Sequence, residues 1–379
     1  KALALQAPDG TRAVLVASDL IGIPRSLAGA VRAATKLEPR QLMLTCSHTH
    51  CGPVVADNLA DMYDIPPDEA KKIGPFTETL KKRFAEAVGE ALENLAPATL
   101  RVGMGSAGFA LNRRLKTAKG FIGAANPDGP VDHDVPVLSV RDPKGKLVAV
   151  AFGYACHNTT MGYLKWSGDY AGFAQQEVEK RHPGAVALFW SGCGADANPL
   201  PRGKVELARK YGKMLADGVE AVLKKDLKPV EGGLVLKYEE IPLAYASLPT
   251  KAKLVEATLG KSLPERKRAE KLLKAGKLDD HYRHFPVQCW KLGGQATWIA
   301  LGGETCVDYS LRLKKELKGE RAVWVAGYAN DVMAYVGSKR ILDEGGYEAD
   351  SSVVYYGLPS RWADSIEEAI IKKARELAK

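Results

Sequence analysis

The sequence predicts an α/β fold in which mixed β-sheets are flanked by helices, and three observations carry that reading. Short apolar runs alternate with amphipathic segments of helical period; one pair of runs flanks a tight-turn sequence; and five runs stop where a small or polar, ligand-type residue follows. The 379 residues are 46% hydrophobic and 26% charged, with no low-complexity tract, so the chain can bury a large core and is not of disordered composition. No repeat and no Ser/Gly-rich linker divides it, and a single domain over 1–379 is expected.

Helical spacing is clear at Leu80, Phe84, Val88, Leu92 and Leu95, ahead of Pro97, and again at Leu207, Tyr211, Met214, Leu215 and Val222. A third amphipathic helix contains Ile366, Ala369, Ile370, Ala374 and Leu377, with Ser365 and Glu368 spaced as a capping box. Val135 to Val140 and Leu147 to Tyr154 flank Asp-Pro-Lys-Gly, which predicts a hairpin and therefore some antiparallel pairing. The informative strands are those with a marked end. Leu42 to Cys46 leads to His48, Leu147 to Phe152 to His157, and Val186 to Trp190 to Ser-Gly-Cys-Gly-Ala-Asp-Ala-Asn-Pro. Thr297 to Leu301 leads to Gly-Gly-Glu304, and Ala322 to Ala326 to Gly-Tyr-Ala-Asn-Asp331. Ligands collect outside the carboxyl ends of strands in α/β sheets, so these five ends are expected to converge.

The formal charge of +9 is concentrated. Between Lys251 and Lys277 there are nine Lys or Arg against three Glu, a local +6, in what reads as two short helices with Pro264 and Glu265 in a first turn and Gly276 as a stop. The segment 250–285 is expected to be a basic helical insertion, either a solvated face or a contact for an anionic surface through 251–277; without interleaved aromatics no nucleic-acid partner is expected. No apolar stretch reaches the ~18 residues of a membrane-spanning helix, and no signal-peptide pattern opens the sequence. The chain begins at Lys1 rather than Met, which leaves room for a removed leader, and an exported protein is the expectation. The six cysteines (46, 51, 156, 193, 289 and 306) form no CxxC pair; four of them, Cys46, Cys51, Cys156 and Cys306, lie within two residues of a ligand-type residue or its neighbour and read as compact buried side chains packed near a site, with zinc thiolates as the alternative. His133, His182, His281 and His284 sit among charged neighbours and read as surface residues in polar loops.

In Thr45-Cys-Ser-His-Thr-His-Cys-Gly-Pro53, an extended backbone would send His48 and His50 to one side. His48, His157 and a carboxylate from a third strand end match the ligand set of a catalytic zinc site, in which three protein ligands leave a position open for water. No His-Glu-x-x-His occurs, so the site must be assembled from distant segments.

The motifs SHTHCGP, YACHNTTMGY with SGDYAG, LGGE and GYANDVMAYV…GGYEAD, in that order from about Val14 to Gly357, resemble those of the neutral (non-lysosomal) ceramidases, zinc-dependent amidases. The resemblance also covers DHDVPVLSVRDPKGKLVAVAFGYACH. It implies a neutral-ceramidase-like catalytic domain with zinc held by His48, His157, Glu304 and Tyr335. It further implies that His50 and Tyr347, twelve residues after Tyr335, face the substrate. Arg113 in LNRR resembles the arginine that assists there, with Arg114 as the alternative alignment. One departure stands out. The family carries a serine in Gly-Asp-x-Ser-Pro-Asn, whereas this chain reads Gly-Ala-Asp-Ala-Asn-Pro and places Asn198 at that position, where an amide can donate a hydrogen bond but cannot act as nucleophile. The chain ends in the helix after Trp362, so the resemblance does not extend to the family's C-terminal immunoglobulin-like domain. Asp169 and Asp196 are candidates to fix a histidine tautomer, or else cap or turn residues.

The expected activity is hydrolysis of an amide-type (N-acyl) bond in a small-molecule or polar conjugate other than ceramide, by zinc-activated water. The alternatives are a hydrolase of an ester, lactone or glycoside, and a non-catalytic ligand-binding relative. An amidohydrolase-type barrel is disfavoured, because it needs further His and Asp at later strand ends and the hairpin breaks strict strand–helix alternation.

Overall fold

The apolar runs form strands, and each of the five marked runs stops within two residues of where its pattern ends. The computed structural model describes residues 1–56, 58–319 and 321–379. Three sheets share one construction. Ala2–Gln6, Arg12–Ser18 and Leu42–Cys46 form the first; Thr99–Ser106, Asp134–Arg141, Leu147–Tyr154 and Val186–Ser191 the second; Leu234–Ala244, His281–Leu292, Ala296–Leu301 and Ala322–Ala326 the third. In each sheet the last two strands pair in parallel and the others antiparallel. A parallel pair needs a crossover, here supplied by the helices Arg25–Thr35, Asp169–Arg181 and Val307–Glu316. Both strands of such a pair end at the same edge, so the loops after Cys46, Tyr154, Ser191, Leu301 and Ala326 can leave toward one place. Two small sheets complete it: Gly120–Asn126, Ala110–Thr117 and Ala197–Pro199, and a parallel pair of Glu304–Thr305 with Tyr335–Val336.

The large sheets meet over tryptophan. Trp190 from the second sheet lies 4.3 Å from Trp298 of the third, ring centre to ring centre, with Trp324 5.6 Å and Trp290 6.0 Å from Trp298; all four are fully buried. Leu15 and Met43 of the first sheet belong to the same core. Tilted and edge-to-face rings of this size contribute large apolar area with defined geometry. Among the described residues, no helix is long and apolar enough to cross a membrane.

The structure departs locally from the sequence reading. The helix ending before Pro97 spans Pro67–Glu93 and so begins well before Leu80, because its first turns are polar and exposed and leave no apolar period to read. Leu95 lies beyond its end. Ser365 and Glu368 form no capping box: Ser365 already has helical dihedrals, and the Glu368 carboxylate is held by Arg312 at 2.5 and 2.9 Å. His281 and His284 lie on the strand His281–Leu292 rather than in a loop, at its solvent-facing start. The 251–277 segment forms helices Lys251–Thr258 and Leu263–Ala275, closed by Gly276 at φ 71°, as the sequence indicates.

Gly153 makes the tryptophan core possible. A Cβ there would lie 2.2 Å from Trp190 Nε1 and 2.3 Å from its Cε2. Gly153→Ala is expected to lower unfolding free energy by about 2 kcal/mol, the usual scale of core overpacking, read from urea denaturation followed by circular dichroism.

Candidate metal centre

His48 follows the strand Leu42–Cys46 at φ 59°, and its Nδ1 lies 2.5 Å from the Ile21 carbonyl. His157 follows Leu147–Tyr154, and its Nδ1 lies 2.9 Å from the Gly194 carbonyl. A carbonyl can only accept, so each Nδ1 must carry the proton and each Nε2 keeps a lone pair. Glu304 arrives from the third sheet, and its Oε2 stands 3.1 Å from His48 Nε2 and 3.2 Å from His157 Nε2. All three side chains are buried. Glu304 Oε2 nevertheless accepts no hydrogen bond, while Oε1 accepts one from the Tyr356 hydroxyl.

Two more donors border this trio. His50 Nε2 is 3.2 Å from His48 Nε2, and the three histidines each offer a nitrogen within 4.8 Å of the others. Tyr335 is set beside Glu304 by the parallel register Glu304↔Tyr335, and its hydroxyl lies 3.1 Å from His157 Nε2. Burial, then the Arg113 charge, pulls the His157 pKa down to about 4, so the ring is neutral at pH 7. His50 is exposed, yet the surrounding protein and then the neighbouring imidazoles hold its pKa well below the usual value. Burial would raise the Glu304 carboxyl, and only positive charge at the imidazole positions outweighs it and holds the group well below the ordinary range.

The donor set fits a zinc ion. Ligands about 2.0–2.1 Å from zinc in a tetrahedron are about 3.3 Å from one another, close to the 3.1 and 3.2 Å measured between Glu304 and the two imidazoles. Glu304 Oε2, buried and without a hydrogen-bond donor, also needs positive charge beside it to be favourable as a carboxylate.

The other anticipated residues lie at the edge of this cluster. Arg113 donates from Nη2 to Tyr335 at 3.1 Å and from Nη1 to Asn198 Oδ1 at 3.3 Å. Arg114 turns away to Glu344 and the Gly345 carbonyl, so of the two arginines it is Arg113 that faces the cluster. Asn198, on Ala197–Pro199, also accepts from Thr159 Oγ1 at 3.3 Å, so its oxygen is occupied and its NH2 group is left to donate elsewhere. Tyr347 stands at the rim, 38% exposed, its ring 5.3 Å from that of Tyr335.

Neither aspartate fixes a tautomer; the two backbone carbonyls do. Asp196 instead accepts from the Val307 amide at 2.8 Å, at the start of a helix, and Asp169 accepts from the Met161 and Tyr170 amides. Sequence reasoning missed Tyr356 and Glu348. Glu348 pairs with Arg113 Nε at 2.8 Å and with Arg114, and its place directly after Tyr347 was the one available signal. The six cysteines are buried and free, and the donor cluster contains no thiol among the described residues.

Comparison of the whole structure gives two matches over 100% of this chain and 68% of the other chain. One is a ceramidase complexed with C2, at 19% identity and TM-score 0.74; the other is the neutral ceramidase from Pseudomonas aeruginosa, at 20% and 0.74. They show that the fold is neutral-ceramidase-like. No family model matches the sequence. No curated protein matches it either.

Burial lifts the Asp196 carboxyl from 3.8 to about 6. The folded state therefore binds its proton more tightly than the unfolded chain, a contribution present in full below pH 3.8 and lost as pH rises through 6. Asp196→Asn keeps the acceptor and removes the titration. Relative to this variant, the parent is expected to lose about 3 kcal/mol of stability between pH 3.8 and 7, measured by urea unfolding across that range.

Proposed function

We propose that this chain, built on the neutral-ceramidase-like fold, is a zinc-dependent hydrolase of an amide-type (N-acyl) substrate other than ceramide. The observation that carries the reading is the orphaned, buried Glu304 Oε2 facing two imidazole nitrogens whose protons are committed elsewhere. His48, His157, Glu304 and Tyr335 would hold the ion, with His50 left exposed beside it. When bound, zinc supplies a Lewis acid and lowers the pKa of its water to about 7, which removes the need for a protein nucleophile.

The remaining residues handle charge and orientation. Glu348 holds Arg113 by Nε, so the guanidinium keeps its terminal nitrogens at the donor cluster, where they stabilise negative charge developing on an attacked carbonyl oxygen. The Asn198 NH2 group and the Tyr347 hydroxyl are further donors for that oxygen. Neutral His50 can take a proton as the attack proceeds and return it to the leaving nitrogen. Tyr335 is kept a neutral phenol by burial and then the Glu304 charge; a cation beside it acts in the opposite sense. The amide at position 198, where the related motif has serine, supports a substrate different from ceramide.

Elemental analysis of the purified protein after dialysis against metal-free buffer is expected to give about one zinc per chain, and His157→Ala is expected to lose it. A parent that holds no metal and takes up none on addition defeats the reading and leaves a ligand-binding relative. On the substrate found by screening amides, esters and glycosides, Asn198→Ala is expected to lower kcat about a hundredfold, with KM little changed. Preference for an ester or glycoside would correct the bond class while keeping the metal.

A further inference from the structure

The two helices of the 251–277 segment form a hairpin with a small core of its own, Leu254, Ala269 and Leu272. The segment carries a net charge of +6, against +9 for the whole chain. Here only Lys271 approaches a carboxylate, Asp61 at 3.8 Å, among the described residues. Arg266, Lys267 and Arg268 are spent on backbone carbonyls. Lys251, Lys253, Lys261, Lys274 and Lys277 remain exposed.

The hairpin also exposes apolar side chains. Leu259, where the first helix ends, is 84% exposed, and Val255 is 47% exposed. Four residues apart, they share one helix face, with Lys251 a further turn back and Lys261 two residues on. A face that only needed hydration would not put a leucine at its tip. Exposed apolar groups ringed by unpaired lysines suit a surface that is negative at its edge and greasy beneath. Nucleic acid fits less well, since residues 251 to 277 contain no aromatic side chain on which a base could stack.

We propose that this hairpin docks the protein on an anionic lipid surface, with Leu259 and Val255 entering the headgroup layer and the unpaired lysines meeting the headgroup charge. The hairpin is not a loose appendage. Arg268 donates to the Leu358 and Pro359 carbonyls at 2.6 Å each, just after Tyr356, whose hydroxyl holds Glu304. A docked hairpin is thus fastened to the wall of the donor cluster.

The test requires no turnover and stands apart from the zinc reading. The protein is sedimented with vesicles of phosphatidylcholine alone and of phosphatidylcholine mixed with phosphatidylglycerol, at low and high salt. Binding is expected only to the mixed vesicles, weakening with salt. Replacing Lys251, Lys253 and Lys261 together by Glu is expected to weaken it at least about a hundredfold, and Leu259→Ser about tenfold. These side chains are exposed and make no hydrogen bond or ion pair among the described residues. Equal binding to both vesicles, no binding, or binding unmoved by the lysine replacements overturns the proposal. So does tighter binding to heparin or an oligonucleotide that Leu259→Ser leaves unchanged, which would assign the charge to an anionic polymer.

Discussion

An ionised carboxylate buried against two imidazole lone pairs sets the terms for the rest of the structure. Removing a charge from water costs several kcal/mol unless something nearby compensates, and Glu304 has one phenol on one oxygen and nothing on the other. The surroundings are arranged around that problem. Two carbonyls hold the histidines in the tautomer that turns nitrogen lone pairs inward. Arg113 brings a positive charge to the edge of the cluster through Tyr335, itself balanced by Glu348. The sheets make this affordable by being built alike: each ends in a parallel pair, and five such strand ends are brought to one side.

The loops that carry the site are pinned by hydrogen bonds rather than by length alone. Asn330, at φ 64°, donates its backbone amide to the Leu44 carbonyl and accepts from the Leu44 amide at its side-chain oxygen, while its side-chain nitrogen donates to Gln288. One residue thereby joins the strand before His48 to the third sheet. Ser47 is held in the same way, its carbonyl accepting from both Asn158 and Ser191. Left-handed backbone at His48, Tyr328 and Asn330 clusters at the centre, where close packing keeps conformations that would be unfavourable in isolation.

The sequence made the layout readable because strand ends are marked by a change of residue type. His48, His157 and Glu304 each follow an apolar run that stops abruptly, and the structure brings all three within hydrogen-bonding distance. What could not be read is contact between residues far apart in sequence that share no local pattern. Tyr356 and Glu348 act through partners 52 and 235 residues away. The two tautomer-fixing groups are carbonyls, which every residue possesses, so Ile21 and Gly194 carried no sequence signal. Tyr335 and Tyr347 were assigned through family resemblance, and the register pairing of Tyr335 with Glu304 supplies a physical reason that composition did not. The capping box failed for a related reason: a local motif lost its glutamate to Arg312, more than fifty residues distant.

The tryptophans also divide the molecule optically. Trp190, Trp290, Trp298, Trp324 and Trp362 are sealed inside, while Trp166 is 75% exposed. Its neighbour Ser167 donates to the Cys51 carbonyl, immediately after His50. A small aqueous quencher therefore reaches one indole and leaves five unquenched. The accessible part of the emission reports on the approach to the donor cluster, and the inaccessible part on the integrity of the core.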